Sequence, residues 1–81
     1  MNKDEERKRI GRRIAEVRNS VEWMDGQGIK RKGMTQAELA ERCEIAQSHI
    51  TRIERGMYNF GFDTLQQIAE AVGMKLDFVK E

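Results

Sequence analysis

The chain has 81 residues, room for one domain and one core, since chains this short bury only about 60% of the surface they expose when unfolded. With 38% hydrophobic and 36% charged residues and no proline, two cores and a large interdomain cleft are excluded, and the apolar residues recur in periodic sets that favour helices over disorder. The formal net charge is only +1, but residues 30–56 hold six Lys/Arg against four acids and residues 57–81 two against four, a polarity compatible with one DNA-facing side.

The first segment predicts a long helix. Ile10, Ile14, Val17, Val21 and Met24 recur every three or four positions, a narrow stripe on one face. Asn2 with Glu5 three residues on resembles a capping box, and Asp4, Glu5 and Glu6 suit the positive end of the helix dipole. The helix is expected to stop near Asp25-Gly26, with Trp23 exposed on the face opposite the stripe. Residues 25–33, DGQGIKRKG, carry glycines and consecutive cations without a period, and read as a mobile loop.

A second, short helix starts at Met34-Thr35-Gln36-Ala37-Glu38-Leu39. Thr35 caps it, Glu38 occupies the capping-box position and Met34 can staple against Leu39. Ala37, Leu39, Ala40 and Cys43 mark its buried side. After a tight connection, Glu44-Ile45-Ala46, a third helix runs from Gln47 to Arg55. Only Ile50 and Ile53 in it are apolar, and Gly56 stops it. Residues 57–61 form a turn. A fourth helix runs from about Phe62 to Val72 with Leu65, Ile68, Ala69 and Val72 at core spacing, and Gly73 ends it. Met74 to Phe78 alternates apolar and polar residues, the period of a short strand. A fifth helix with Leu76 and Val79 on one face is the alternative.

Two short helices joined by about three residues, the second polar on its outer side, have the layout of a helix-turn-helix. A helix that enters the major groove is held by a few apolar residues on its back and offers hydrogen-bonding side chains to base edges. Residues 47–55 divide in this way.

The segment TQAELAERCEIAQSHITRIERG, followed by DTLQQIAEAVG, closely resembles the Xre/Cro-like helix-turn-helix family with the lambda-repressor-like fold. The resemblance covers residues 34–73, and the first helix extends it back to about Ile10. It implies an all-α domain of four to five helices with a motif core at 34–73; the chain reads as a single domain over residues 1–81, with an inserted loop at 26–33 that departs from the family and, from its alternation, a short strand as one form of the C-terminus. It implies sequence-specific binding of double-stranded DNA. Gln47, Ser48, Thr51 and Arg52 match base-reading positions. Gln36 matches a glutamine that contacts a phosphate, and Arg55, Tyr58 and Asn59 match a segment that follows the DNA backbone. His49, with no second ligand residue at metal-binding spacing, is placed beside a phosphate or in water. Lys30, Arg31 and Lys32 read equally as a solvated run or as non-specific DNA contacts. Glu54 matches a structural glutamate that pairs with an arginine of the first helix, here Arg18.

The chain departs from the family pattern in three places. Glu44 stands where glycine is usual in the turn, at a cost of about 1 kcal/mol if the backbone there is left-handed. Ala46 replaces a capping Ser or Thr. The link between Arg18 and Gln36 is longer than in the compact pattern.

Nothing resembles a catalytic set, a metal site or a cofactor site, so no enzyme activity and no cofactor are expected. The single Cys43 excludes an internal disulfide and reads as a small core residue. No stretch approaches the ~20 apolar residues of a membrane span, and the N-terminus lacks a secretory h-region; a cytoplasmic location is expected. The expected partners are duplex DNA and a second copy of the chain, with Met74, Leu76, Phe78 and Trp23 at the interface. The expected role is a transcriptional repressor or an antitoxin-type autoregulator with a toxin partner. A protein-interaction module that binds a toxin with the same fold and little or no DNA binding is the rival reading.

Overall fold

The computed structural model describes residues 2–57 and 59–81. In chain order the elements are α1 (Lys3–Ser20), β1 (Glu22–Met24), β2 (Lys30–Lys32), α2 (Gln36–Cys43), α3 (Gln47–Glu54) and α4 (Phe62–Ala71). Leu39, Ile50 and Ile53 are fully buried at the centre, surrounded by Met34, Ala40, Cys43, Ile68 and Val72. Ile14, Val17 and Val21 of the first segment pack against this core. Ala37 lies outside it, exposed on α2; its neighbours Leu39, Ala40 and Cys43 alone form the buried side.

Asn2 caps α1 by accepting the Glu5 amide at 2.7 Å, and the helix ends at Ser20, earlier than its apolar stripe predicts. Val21 turns into extended backbone, and residues 22–32 form an antiparallel hairpin with Glu22 opposite Lys32, Trp23 opposite Arg31 and Met24 opposite Lys30. The expected loop is therefore an ordered hairpin. Its turn is held by Asp25, whose carboxylate accepts the Gln27 and Ile29 amides and whose carbonyl accepts the Gly28 amide. Aspartate at the first turn position and a left-handed Gly28 (φ 77°) are the chemistry of a type I turn with a bulge.

Trp23 is not exposed. It sits on the inner face of the hairpin, half-buried against the core, with Nε1 donating to the Gly33 carbonyl at 2.8 Å. The guanidinium groups of Arg31 and Arg42 stand 5.1 and 5.5 Å from its ring centre, within cation–π range. Met24, one residue on, points to the other face and is 55% exposed; the helical stripe ends at Val17, and Val21 packs on the core from extended backbone.

The helix-turn-helix is built by caps. Thr35 and Glu38 form a complete capping box at the head of α2; the amide and hydroxyl of Thr35, with help from Arg31, hold the Glu38 carboxyl below its ordinary range. At the other end, the Glu44 and Ile45 amides donate to the Glu41 and Ala40 carbonyls, a Schellman arrangement that requires left-handed backbone. Glu44 supplies it at φ 57°, ψ 38°. The ends of α3 and α4 close identically, but on Gly56 and Gly73. Ala46 at the head of α3 offers no capping side chain. Close approach, not a turn, accounts for Gly11: a Cβ there would stand 2.5 Å from the Ile53 carbonyl oxygen, so α1 can press on the end of α3 only through glycine.

Beyond α4, residues 74–81 form neither the expected strand nor a fifth helix. Their alternation does not find a partner strand among the described residues. The strands of this fold lie in the hairpin instead.

Candidate nucleic-acid interface

Ile50 and Ile53, both 0% exposed, fix the back of α3 in the core. The opposite side of a 3.6-residue helix then presents Ser48, Arg52 and Arg55 outward, and all three are exposed, as is Gln47 in the first turn. His49 is half-buried on the flank. Asn59 is exposed in the following turn; Tyr58 lies outside the described residues.

Thr51 and Glu54 face the head of α2 instead. The Thr51 hydroxyl donates to Gln36 Oε1 at 2.8 Å. Gln36 Nε2 donates to Glu54 Oε1 at 2.9 Å. Glu54 also receives Arg18 Nε at 2.7 Å and Arg18 Nη2 at 2.9 Å. Arg18 Nη1 donates to the Met34 carbonyl at 2.7 Å. A continuous polar chain thus joins α1, the approach to α2, the first residue of α2 and two turns of α3. Arg18 and Glu54 expose only 11% and 7% of their side chains, and no buried polar side-chain atom among the described residues lacks a partner. Gln36 and Thr51 are placed in this internal chain, a feature that motif spacing does not reveal.

The cations of the hairpin divide by strand alternation. Arg31, though exposed, lies on the Trp23 face, stacked on that ring and paired with Glu38 at 2.7 Å. Lys30 and Lys32 lie on the other face and are exposed. Cys43 is buried, its thiol directed at the Gln67 carbonyl, and burial pushes its pKa up; that is the environment of an inert thiol. No group of His, Cys, Asp and Glu among the described residues is arranged to hold a metal.

The helix-turn-helix family model matches residues 28–79. The chain belongs to this helix-turn-helix family, of the Xre/lambda-repressor-like type. It is 30% identical to the immunity repressor protein of Bacillus phage phi105 over 86% of this chain and 41% of that protein. It is 30% identical to the control protein C.BamHI of Bacillus amyloliquefaciens over 74% of this chain and 85% of that protein. The fold is that of the restriction-modification controller protein C.AhdI from Aeromonas hydrophila, with a TM-score of 0.72 at 20% identity over 93% of both chains. This helix-turn-helix protein therefore spans less than half of the phage repressor but most of the control protein. No helix among its described residues is long and apolar enough to cross a membrane.

Proposed function

We propose that the protein is a cytoplasmic regulator of transcription that binds double-stranded DNA as a homodimer, with α3 in the major groove. Family membership and the two regulatory relatives carry the general assignment, a DNA-binding transcriptional regulator. Their names, a repressor and a control protein, favour regulation over a toxin-binding module. The observation behind the detailed reading is the division of α3: Ile50 and Ile53 locked in the core, and Gln47, Ser48 and Arg52 exposed on the side away from it. Glutamine pairs bidentately with adenine and arginine with guanine, so this face has the donors and acceptors that base edges demand.

Phosphate contacts from Gln36, Arg55 and Asn59 would set register and supply the salt-dependent part of the affinity. One domain of this size covers one half-site, so a two-fold pair on a pseudo-palindrome is the economical arrangement. An apolar groove of about 190 Å³ between α1 and α4, lined by Ile10, Ile14, Val17 and Leu65 and bordered by Met74 and Leu76, offers the second copy a surface. Selection from random duplexes followed by footprinting tests the proposal. It predicts one enriched pseudo-palindrome protected on major-groove faces; equal retention of all sequences would refute it.

A further inference from the structure

We propose that Thr51 is a positioning residue that orients Gln36 toward a DNA phosphate, rather than a reader of bases. The inference rests on the DNA-binding reading above and deepens it. A threonine hydroxyl has one proton to donate. Thr51 Oγ1 lies 2.8 Å from Gln36 Oε1 and 3.2 Å from the Gln47 carbonyl, one turn back. Both acceptors are internal, and Thr51 is half-buried where Ser48 and Arg52 on the same helix are exposed.

The Gln36 carboxamide is held at both ends. Its oxygen accepts from Thr51 and its nitrogen donates to Glu54 Oε1. The carboxylate can only accept, so it selects the nitrogen end; the hydroxyl then holds the oxygen end. One N–H of the carboxamide remains, with no acceptor among the described residues. It is carried by the first residue of α2, where backbone amides and the helix dipole favour an anion. Without the hydroxyl the carboxamide keeps one tether and swings about it, and the remaining N–H loses its aim.

The two roles predict different patterns of loss. Thr51→Val keeps the shape and removes the hydroxyl. If Thr51 positions Gln36, affinity falls about five- to tenfold for the selected operator and for random duplex alike, the salt dependence loses about one phosphate contact, and base preference is unchanged. Thr51→Ser restores binding, and Thr51→Val adds nothing in a Gln36→Ala background. A loss confined to one operator position with random-duplex binding intact would overturn the inference, as would unchanged affinity or additive losses in the double variant. Melting curves on each variant separate these effects from misfolding. Wild-type protein that retains no duplex would overturn the DNA-binding reading itself, and this inference with it.

Discussion

Arg18 and Glu54, 36 positions apart, meet in a two-pronged ion pair with N–O distances of 2.7 and 2.9 Å. The pair joins the last turn of α1 to the last residue of α3, and Gln36, the Met34 carbonyl and Asn19 Oδ1 complete its hydrogen bonding. Removing one partner of such a pair leaves a charge with little water around it. Glu54→Ala should cost about 3–5 kcal/mol of stability, against at most ~1 for an exposed pair. Arg18→Lys should recover only part of the stability, because an ammonium cannot reproduce the fork. Denaturant titration decides; a Glu54→Ala midpoint equal to wild type would show that the pair contributes little.

Base reading is expected to rest on Gln47 and Arg52. Alanine at either position should relax preference at one or two positions per half-site and cost about 1–3 kcal/mol on the operator. Random-duplex binding should change little for Gln47→Ala. Binding measured across all single-base operator variants tests this, and unchanged preference in both variants would remove α3 from base recognition.

Glu44 is the one described residue other than glycine with positive φ, in the turn that joins the two helices of the motif. Left-handed backbone costs a side-chain-bearing residue roughly 1–2 kcal/mol, and glycine adopts it without strain. Glu44→Gly should therefore raise stability, by about 1 kcal/mol after the extra chain entropy of glycine is counted. Lower stability in the variant would mean that the glutamate side chain contributes more than its backbone strain costs.

The motif was legible because caps and core spacing are local signals. Thr35 with Glu38, Gly56 and Gly73 mark helix ends through hydrogen bonds only a few residues long, and Ile50 with Ile53 can face only one way. The hairpin was hidden by two coincidences. Val21 and Met24 continue the helical spacing of Ile14 and Val17, although β-branched Val21 is already extended, and Asp25-Gly26-Gln27-Gly28 reads as a generic loop unless its turn chemistry is recognised. The helical-wheel position of Trp23 misleads for the same reason: it has no meaning on a strand. The role of Thr51 depends on Gln36, fifteen positions away, and no local pattern contains that distance.

Strand alternation separates the hairpin's cations into two tests. Arg31 holds Trp23 and Glu38, so Arg31→Ala should loosen the hairpin, seen as faster amide exchange over residues 22–32. Lys30 and Lys32 face outward, and replacing both by alanine should lower the salt slope of DNA binding by up to about 2 without altering base preference. A wild-type slope in the double variant would leave this face as solvated surface.

The proposed homodimer is expected to depend on the last eight residues. Met74 and Leu76 are 49% and 37% exposed beside the α1–α4 groove, and Phe78 and Val79 are almost fully so. Apolar side chains gathered in this way lower their free energy by burial, at about 25 cal/mol per Å² removed from water. Truncation after Gly73 removes the Met74 amide that donates to the Ala69 carbonyl, so the last turn of α4 should fray, but Ile68 and Val72 stay in the core and the helices should remain folded, with a monomer in sedimentation. The truncated chain should also bind a single half-site as well as the full chain does, but lose the gain that a pseudo-palindrome confers. A truncated protein that still dimerises and holds the palindrome as tightly would place the interface elsewhere on the molecule.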